Sequence, residues 1–220
     1  NNNIFMGTNA GGGTWVTAAS NYNVGIGNSV MDDAMNGALD NTAVGNISLS
    51  GLTSGGYNTA LGSNAGRNIT TGEKNVALGA YALDAAAGSH ASNGEDSNIA
   101  IGYGSMGAVN AGSNSGARVY ANIAIGEGAL AGAAFSADEH LDYNIAIGVN
   151  ALNSTAGTAH VGTIAIGADA GTSISAATAQ GAVLIGHTAG AALTTGAGNT
   201  AVGFQAGNIV TTGGTNTIIG

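Results

Sequence analysis

A five-residue phrase that returns along the entire chain constrains its fold more than any other feature: Asn, then Val, Ile or Thr, then Ala, then an aliphatic residue, then Gly. It runs from Asn41 to Gly45, Asn58 to Gly62, Asn75 to Gly79, Asn98 to Gly102, Asn122 to Gly126, Asn144 to Gly148 and Asn199 to Gly203. Variants beginning at Asn3, Asn23, Thr163, Ala182 and Asn216 bring the number of copies to twelve. One such unit has no second layer against which to bury its apolar residues, so units repeated this often must stack on one another. The expected fold is all-β: a parallel β-solenoid of about twelve coils, with residues 1–220 forming one repeat segment of a longer fibrous protein. Groups that perform one chemical step are not repeated twelve times, and the regularity points to architecture rather than to an enzyme.

Residues 58–74, NTALGSNAGRNITTGEK, show the whole unit, and the copies at 41, 182 and 199 match its length of 17. In an extended triplet such as Thr59-Ala60-Leu61 the side chains alternate, which gives one larger face and one small one. The larger face, Ile99 with Ile101 in another copy, is expected to line the dry interior. Ala100, on the opposite side, is expected to allow a neighbouring chain to approach closely. Gly62, Gly66 and Gly72 mark three bends, and the phrase Ile69-Thr70-Thr71-Gly72 is expected to be a returning strand with Ile69 inside. The repeat Asn should stack in a column, its amide bonding from coil to coil or to the turn backbone.

Composition narrows the class further. Gly accounts for 40 of the 220 residues, Pro and Cys are absent, and charged residues make up 7%. Three basic residues against twelve acidic ones give a net charge of −9 with no basic patch, which argues against nucleic acid and anionic membranes as partners. No apolar run is long enough to span a bilayer, so membrane insertion by this segment is not expected. Without cysteine there is no disulfide or thiolate metal site to consider.

Spacing divides the chain into regular coils over 1–79 and 163–220 and decorated coils over 80–162. From Asn75 the interval rises to 23, 24 and 22 residues, and the added residues are expected to project as three loops. Seven of the twelve acidic residues lie between Asp84 and Asp142. Loops on a rigid scaffold both tolerate insertion and carry binding residues. The candidate receptor contacts are therefore Asp84, His90, Glu95, Asp96, Asn110, Arg118, Asp138, Glu139, His140 and Asp142, set against the reading of plain surface decoration.

Other motifs weaken on inspection. Asp138-Glu139-His140-x-Asp142 has oxygen ligands suited to Ca²⁺, but a solvated loop is the better account of it. The adjacent pairs Asp32-Asp33 and Glu95-Asp96 point apart on an extended chain and make poor acid–base partners. Gly102 to Gly107 matches a dinucleotide-binding glycine pattern without the strand and helix that pattern needs. Tyr22, Tyr57, Tyr120 and Tyr143 lie one or two residues before a repeat position, which would align rings along one edge of the stack. No catalytic group, metal site or cofactor is expected.

The NIAIG and NVALG phrases resemble the head repeats of trimeric autotransporter adhesins. The fuller pattern at 58–74 and 199–215 is closer to repeats of bacteriophage tail-fibre proteins. The resemblance implies a left-handed β-roll packed or intertwined as a homotrimer. It further implies a structural and host-attachment role in a virion tail fibre, with a cell-surface glycan or protein as receptor. Alternatives are an adhesin head on a bacterial surface or an extracellular filament without a receptor. The coil is longer here than in the adhesin heads.

Overall fold

Each extended triplet between the repeat Asn and Gly becomes a three-residue strand, because Gly ends it and the residue before Asn cannot belong to it. The computed structural model describes residues 2–15, 18–85, 96–109, 118–132, 140–153, 160–174 and 180–220. Its strands are β1 (Ile4–Met6), β2 (Val24–Ile26), β3 (Thr42–Val44), β4 (Thr59–Leu61), β5 (Val76–Leu78), β6 (Ile99–Ile101), β7 (Arg118–Tyr120) and β8 (Ile123–Ile125). They continue with β9 (His140–Asp142), β10 (Ile145–Ile147), β11 (His160–Val161), β12 (Ile164–Ile166), β13 (Val183–Ile185), β14 (Thr200–Val202) and β15 (Thr217–Ile219). No helix occurs among the described residues.

Twelve strands form one parallel sheet in chain order, omitting β7, β9 and β11. The register is exact in type: Ala43 pairs with Ala60, Ala60 with Ala77, Ala77 with Ala100 and Ala100 with Ala124. The chain is thus an all-β parallel solenoid.

The two faces of the sheet are the reverse of the sequence expectation. Ala60 and Ala77 are 1% exposed and Ala100 and Ala124 fully buried, whereas Leu61 is 49% exposed and Ile125 36%. Ala points into the coil and the Ile, Leu, Val and Thr side chains point out. The reason is volume. The interior is already occupied by residues from the turn and the returning limb, among them Leu49, Leu83, Leu130, Leu152, Ile69 and Ile174, none more than 1% exposed. A methyl group is what the strand can add to such a densely packed space. Two exceptions support this account. Leu184 replaces Ala on β13, and a Cβ on Gly190 or Gly171 would lie 2.7 or 2.9 Å from its methyls. Phe5 replaces Ala on β1, and a Cβ on Gly25 would lie 2.6 Å from its ring.

The Asn column bonds in both of the expected ways at once. Asn98 Oδ1 accepts from Asn122 N and Nδ2, each at 3.0 Å, and Asn122 Oδ1 accepts from the same two groups of Asn144 at 3.0 Å. The second amide hydrogen goes to a carbonyl of the returning limb, as from Asn58 to Gly72 O (2.8 Å) or Asn98 to Val119 O (2.9 Å). Every polar atom of these buried side chains is thereby occupied, which a buried amide requires. The ladder falters once, at Thr163 and Ala182, and resumes with Asn199 donating 2.9 Å to Gly213 O and accepting from Asn216.

Gly at the end of the phrase is forced. At Gly126 φ is +133° and a Cβ would sit 2.5 Å from Gly148 O of the next repeat. Gly45 is the same, with φ +140° and 2.3 Å to Gly62 O. No side chain fits either the torsion or the gap. The residue before the Asn is also left-handed in repeat after repeat, as at Tyr22 (φ 60°), Tyr57 (φ 60°), Ser97 (φ 59°) and Tyr143 (φ 58°). This kink separates the returning limb from the strand.

The phrase at Leu52 to Gly55 and its copies is not a strand, contrary to expectation, although Ile69 is inside as expected (1% exposed). Single ladder bonds join these limbs, as from Thr53 N to Thr70 O at 2.8 Å, but Gly ends each limb before a triplet can pair. A second sheet forms instead in the lengthened repeats, in the order β11-β9-β7. Its register sets Arg118 beside His140, Val119 beside Leu141 and Tyr120 beside Asp142, with His160 next to Leu141. The sequence assigned this region to projecting loops. The second and third insertions end in β7 and β9, the first ends in an isolated bridge between Asp96 and Tyr120, and most of each insertion lies outside the described residues.

Candidate binding faces

Two outward surfaces differ sharply in chemistry. The first is the outer side of the twelve-stranded sheet, where the first and third residue of every strand stand in two parallel rows. Ile99, Ile123, Ile145 and Ile164 run up one row and Ile101, Ile125, Ile147 and Ile166 up the other. At about 4.8 Å per strand the rows are roughly 50 Å long. Two rows of that length cover on the order of 600 Å², as large as the largest apolar patch on an ordinary monomer. Exposure is greatest on the terminal strands, at Ile219 (78%), Met6 (61%) and Ile4 (56%), and continues between them at Leu61 (49%), Ile26 (40%) and Ile185 (37%).

The second surface is the outer side of β7 and β9. Alternation turns Val119 and Leu141 into the core, both fully buried, and turns Arg118, Tyr120, His140 and Asp142 out. Arg118 grips the Asp142 carboxylate through Nη2 and through Nε, 3.1 Å from Oδ2. His140 Nδ1 lies 3.3 Å from the same oxygen. The Asp142 side chain is 3% exposed under this cover, while those of Arg118 and His140 are 39% and 44% exposed. The hydrogen bond to Asp142 raises the Arg118 pKa further above its ordinary value, and burial partly opposes this. The guanidinium also lies over the Tyr120 ring, 5.4 Å from its centre, and Tyr120 meets Tyr143 edge to face at 5.5 Å. Tyr143 itself is 54% exposed.

Of the remaining sequence candidates, Asp84 pairs with Arg67 of the preceding coil (3.0 Å), where burial raises its pKa and Arg67 opposes the rise. Asp96 Oδ1 accepts from Glu73 N of the preceding coil at 2.7 Å. His90, Glu95, Asn110, Asp138 and Glu139 lie outside the described residues. The repeat residues fall in their columns: Asn41, Asn58, Asn75, Asn98, Asn122, Asn144 and Asn199 in the ladder. Gly45, Gly62, Gly79, Gly102, Gly126, Gly148 and Gly203 occupy the close-contact column, Gly102 included, so the apparent dinucleotide motif is part of a turn. Among the described residues no three His, Asp or Glu side chains cluster to hold a metal, and no helix is long and apolar enough to cross a membrane.

Of the four Tyr singled out from the sequence, Tyr22, Tyr57 and Tyr143 share one turn position and are 54–57% exposed, while Tyr120 sits on β7. Sequence reasoning missed the pairing of Tyr120 with Tyr143 and of Arg118 with Asp142. The latter joins residues 24 apart, two beyond His140, and the separation of Arg118 from His140 by the same 22 residues that separate Asn122 from Asn144 was the signal available. No protein-family model, curated protein or solved structure matches the chain.

Proposed function

We propose that the chain is a non-enzymatic segment of a trimeric attachment fibre of the bacteriophage tail-fibre type, a left-handed solenoid of twelve coils exposed on the virion. The observation that carries this reading is the double row of outward, mostly Ile, Leu and Val side chains on the long sheet, with Thr in one row on β3, β4, β14 and β15. At about 25 cal/mol per Å², covering roughly 600 Å² on each chain is worth on the order of 15 kcal/mol per chain before association costs. A flat apolar face of this length on a thin coil calls for sister copies, and three around one axis cover each face with no sheet left over. The number three, the handedness and the viral setting come from the resemblance of the repeats.

In this reading the mechanism is mechanical and multivalent. The sealed faces make a rigid rod, and the second sheet is presented three times for contact with a cell-surface glycan or protein, so weak contacts sum. Sedimentation equilibrium at micromolar concentration should give three times the chain mass of 20.9 kDa. The double variant I101K/I147K should give a smaller species. A β-structured monomer for the parent chain would refute the reading, and a stable dimer would refute the threefold assembly.

A further inference from the structure

The lengthened repeats build an outward surface of a kind the long sheet does not have: a paired Arg and Asp, a half-exposed His and two contacting Tyr rings on adjacent strands. We propose that this surface, centred on Tyr143 with Tyr120, Arg118 and His140, binds a neutral hexose unit. The proposal deepens the attachment role and rests on the fibre reading for its threefold presentation.

Ring geometry supplies the platform. Arg118 covers one face of Tyr120, and the edge-to-face contact at 5.5 Å with an interplanar angle of 85° occupies at most one face of Tyr143. At least one Tyr143 face is open to solvent, consistent with its 54% exposure. A hexose ring has an apolar C–H face that stacks on such a surface and an equatorial rim of hydroxyls. The rim would meet the outward N–H groups of Arg118 and the imidazole of His140, both held by Asp142. Fixing the polar groups beforehand lowers the ordering cost of binding.

Charge selects the class. The Arg118 guanidinium is already neutralised by two contacts to Asp142, and the chain carries a net charge of −9, which disfavours an anionic sugar. Asp142 is sealed beneath its partners, so no free carboxylate awaits a cation. What remains outward is an aromatic face bordered by neutralised donors.

The test uses the whole chain and saturation-transfer NMR with methyl glycosides of glucose, galactose and mannose, and with a sialylated lactose as the anionic probe. At least one neutral glycoside should show transfer with a Kd of about 1 mM. Affinity should fall at least about tenfold in Tyr143→Asn and in His140→Gln. Asn suits the left-handed φ of position 143, so the backbone is kept. Tyr57→Asn, at the same turn position with φ 60° and no Arg118–Asp142 pair beside it, should bind as the parent does. No transfer from any neutral glycoside, equal binding by Tyr143→Asn, equal loss in Tyr57→Asn, or tighter binding of the sialylated probe would each overturn the proposal. Sedimentation of the same samples separates the two readings: lost binding with the trimer intact overturns the hexose site alone.

Discussion

Repairing the gap in the Asn ladder tests whether side-chain amides set the register of the stack. At Ala182 the column holds no amide, and Thr163 below it donates its backbone N–H to Asn144 Oδ1 at 2.9 Å but leaves its own buried Oγ1 without a hydrogen-bond partner. In the ladder geometry, an Asn at 182 would place Oδ1 about 3 Å from Asn199 N and Nδ2, as adjacent steps do. Its amide hydrogens would reach Thr163 Oγ1 and Gly196 O. Asn199 Nδ2, which now donates to Gly196 O at 2.9 Å, would be redirected, so the net gain is about three buried hydrogen bonds at about 0.5 to 1.5 kcal/mol each, and with one orphaned hydroxyl satisfied this gives roughly 2 to 4 kcal/mol. Ordering the amide side chain removes about 1 kcal/mol of this. Ala182→Asn should therefore stabilise the protein by about 1 to 3 kcal/mol, read as a raised urea midpoint with unchanged slope at fixed protein concentration. In Asn199→Ala, which lacks the partner amide, most of the gain should disappear. A neutral or destabilising Ala182→Asn, or a gain that survives Asn199→Ala, would refute the view that hydrogen bonding maintains the column.

Three further outcomes follow from positions already described. Gly126→Ala should cost at least about 3 kcal/mol, because positive φ strain adds to a Cβ placed 2.5 Å from Gly148 O, and soluble yield and melting temperature should both fall. Ile47→Asn should stabilise by about 1 kcal/mol in thermal melts, since a β-branched residue there adopts φ 60° where equivalent positions carry Asn64 and Asn150. Burial lowers the His160 pKa to about 4, whereas the unfolded residue titrates near the ordinary imidazole value of about 6.5. The unfolded chain thus binds more protons between those values. The contribution is complete above pH 6.5 and is lost as pH falls toward 4, by up to about 3 kcal/mol. Denaturation midpoints in parent and His160→Leu, measured across that range, should show the slope removed in the variant.

Periodicity exposed the strands, the Asn column and the Gly column because each depends on residues of one kind recurring at one place. It misassigned the faces because alternation reports that two sides differ, not which side is inside. That choice is made by residues outside the triplet: Leu49, Leu83, Leu130 and Leu152 enter from the turn, four positions after the repeat Gly, and take the volume that Ile on the strand would need. Phe5 with Gly25 and Leu184 with Gly190 carried the same information as matched exceptions, a large residue on the inner row offset by a Gly where its neighbour would stand. The candidate surface was less legible still. Arg118, His140 and Asp142 were marked for lying in the insertions, but their union depends on an in-register pairing across two insertions of different length.

That pairing explains how a stack with strict columns tolerates repeats of unequal length. The steps from Asn75 to Asn98, Asn98 to Asn122 and Asn122 to Asn144 span 23, 24 and 22 residues, yet the amide contacts stay between 3.0 and 3.2 Å. The Gly contacts stay at 2.5 to 2.7 Å across the same repeats, as from Gly79 to Gly102 and on to Gly126 and Gly148. Asn and Gly flank the strand triplet and fix its height, and the added residues enter only the limb between Gly and the next Asn. Lengthening that limb leaves the apolar rows in register and lets the final residues pair as β7, β9 and β11. The outer face of the long sheet and that of the second sheet therefore vary independently, because the insertions that build the second do not disturb the spacing of the first.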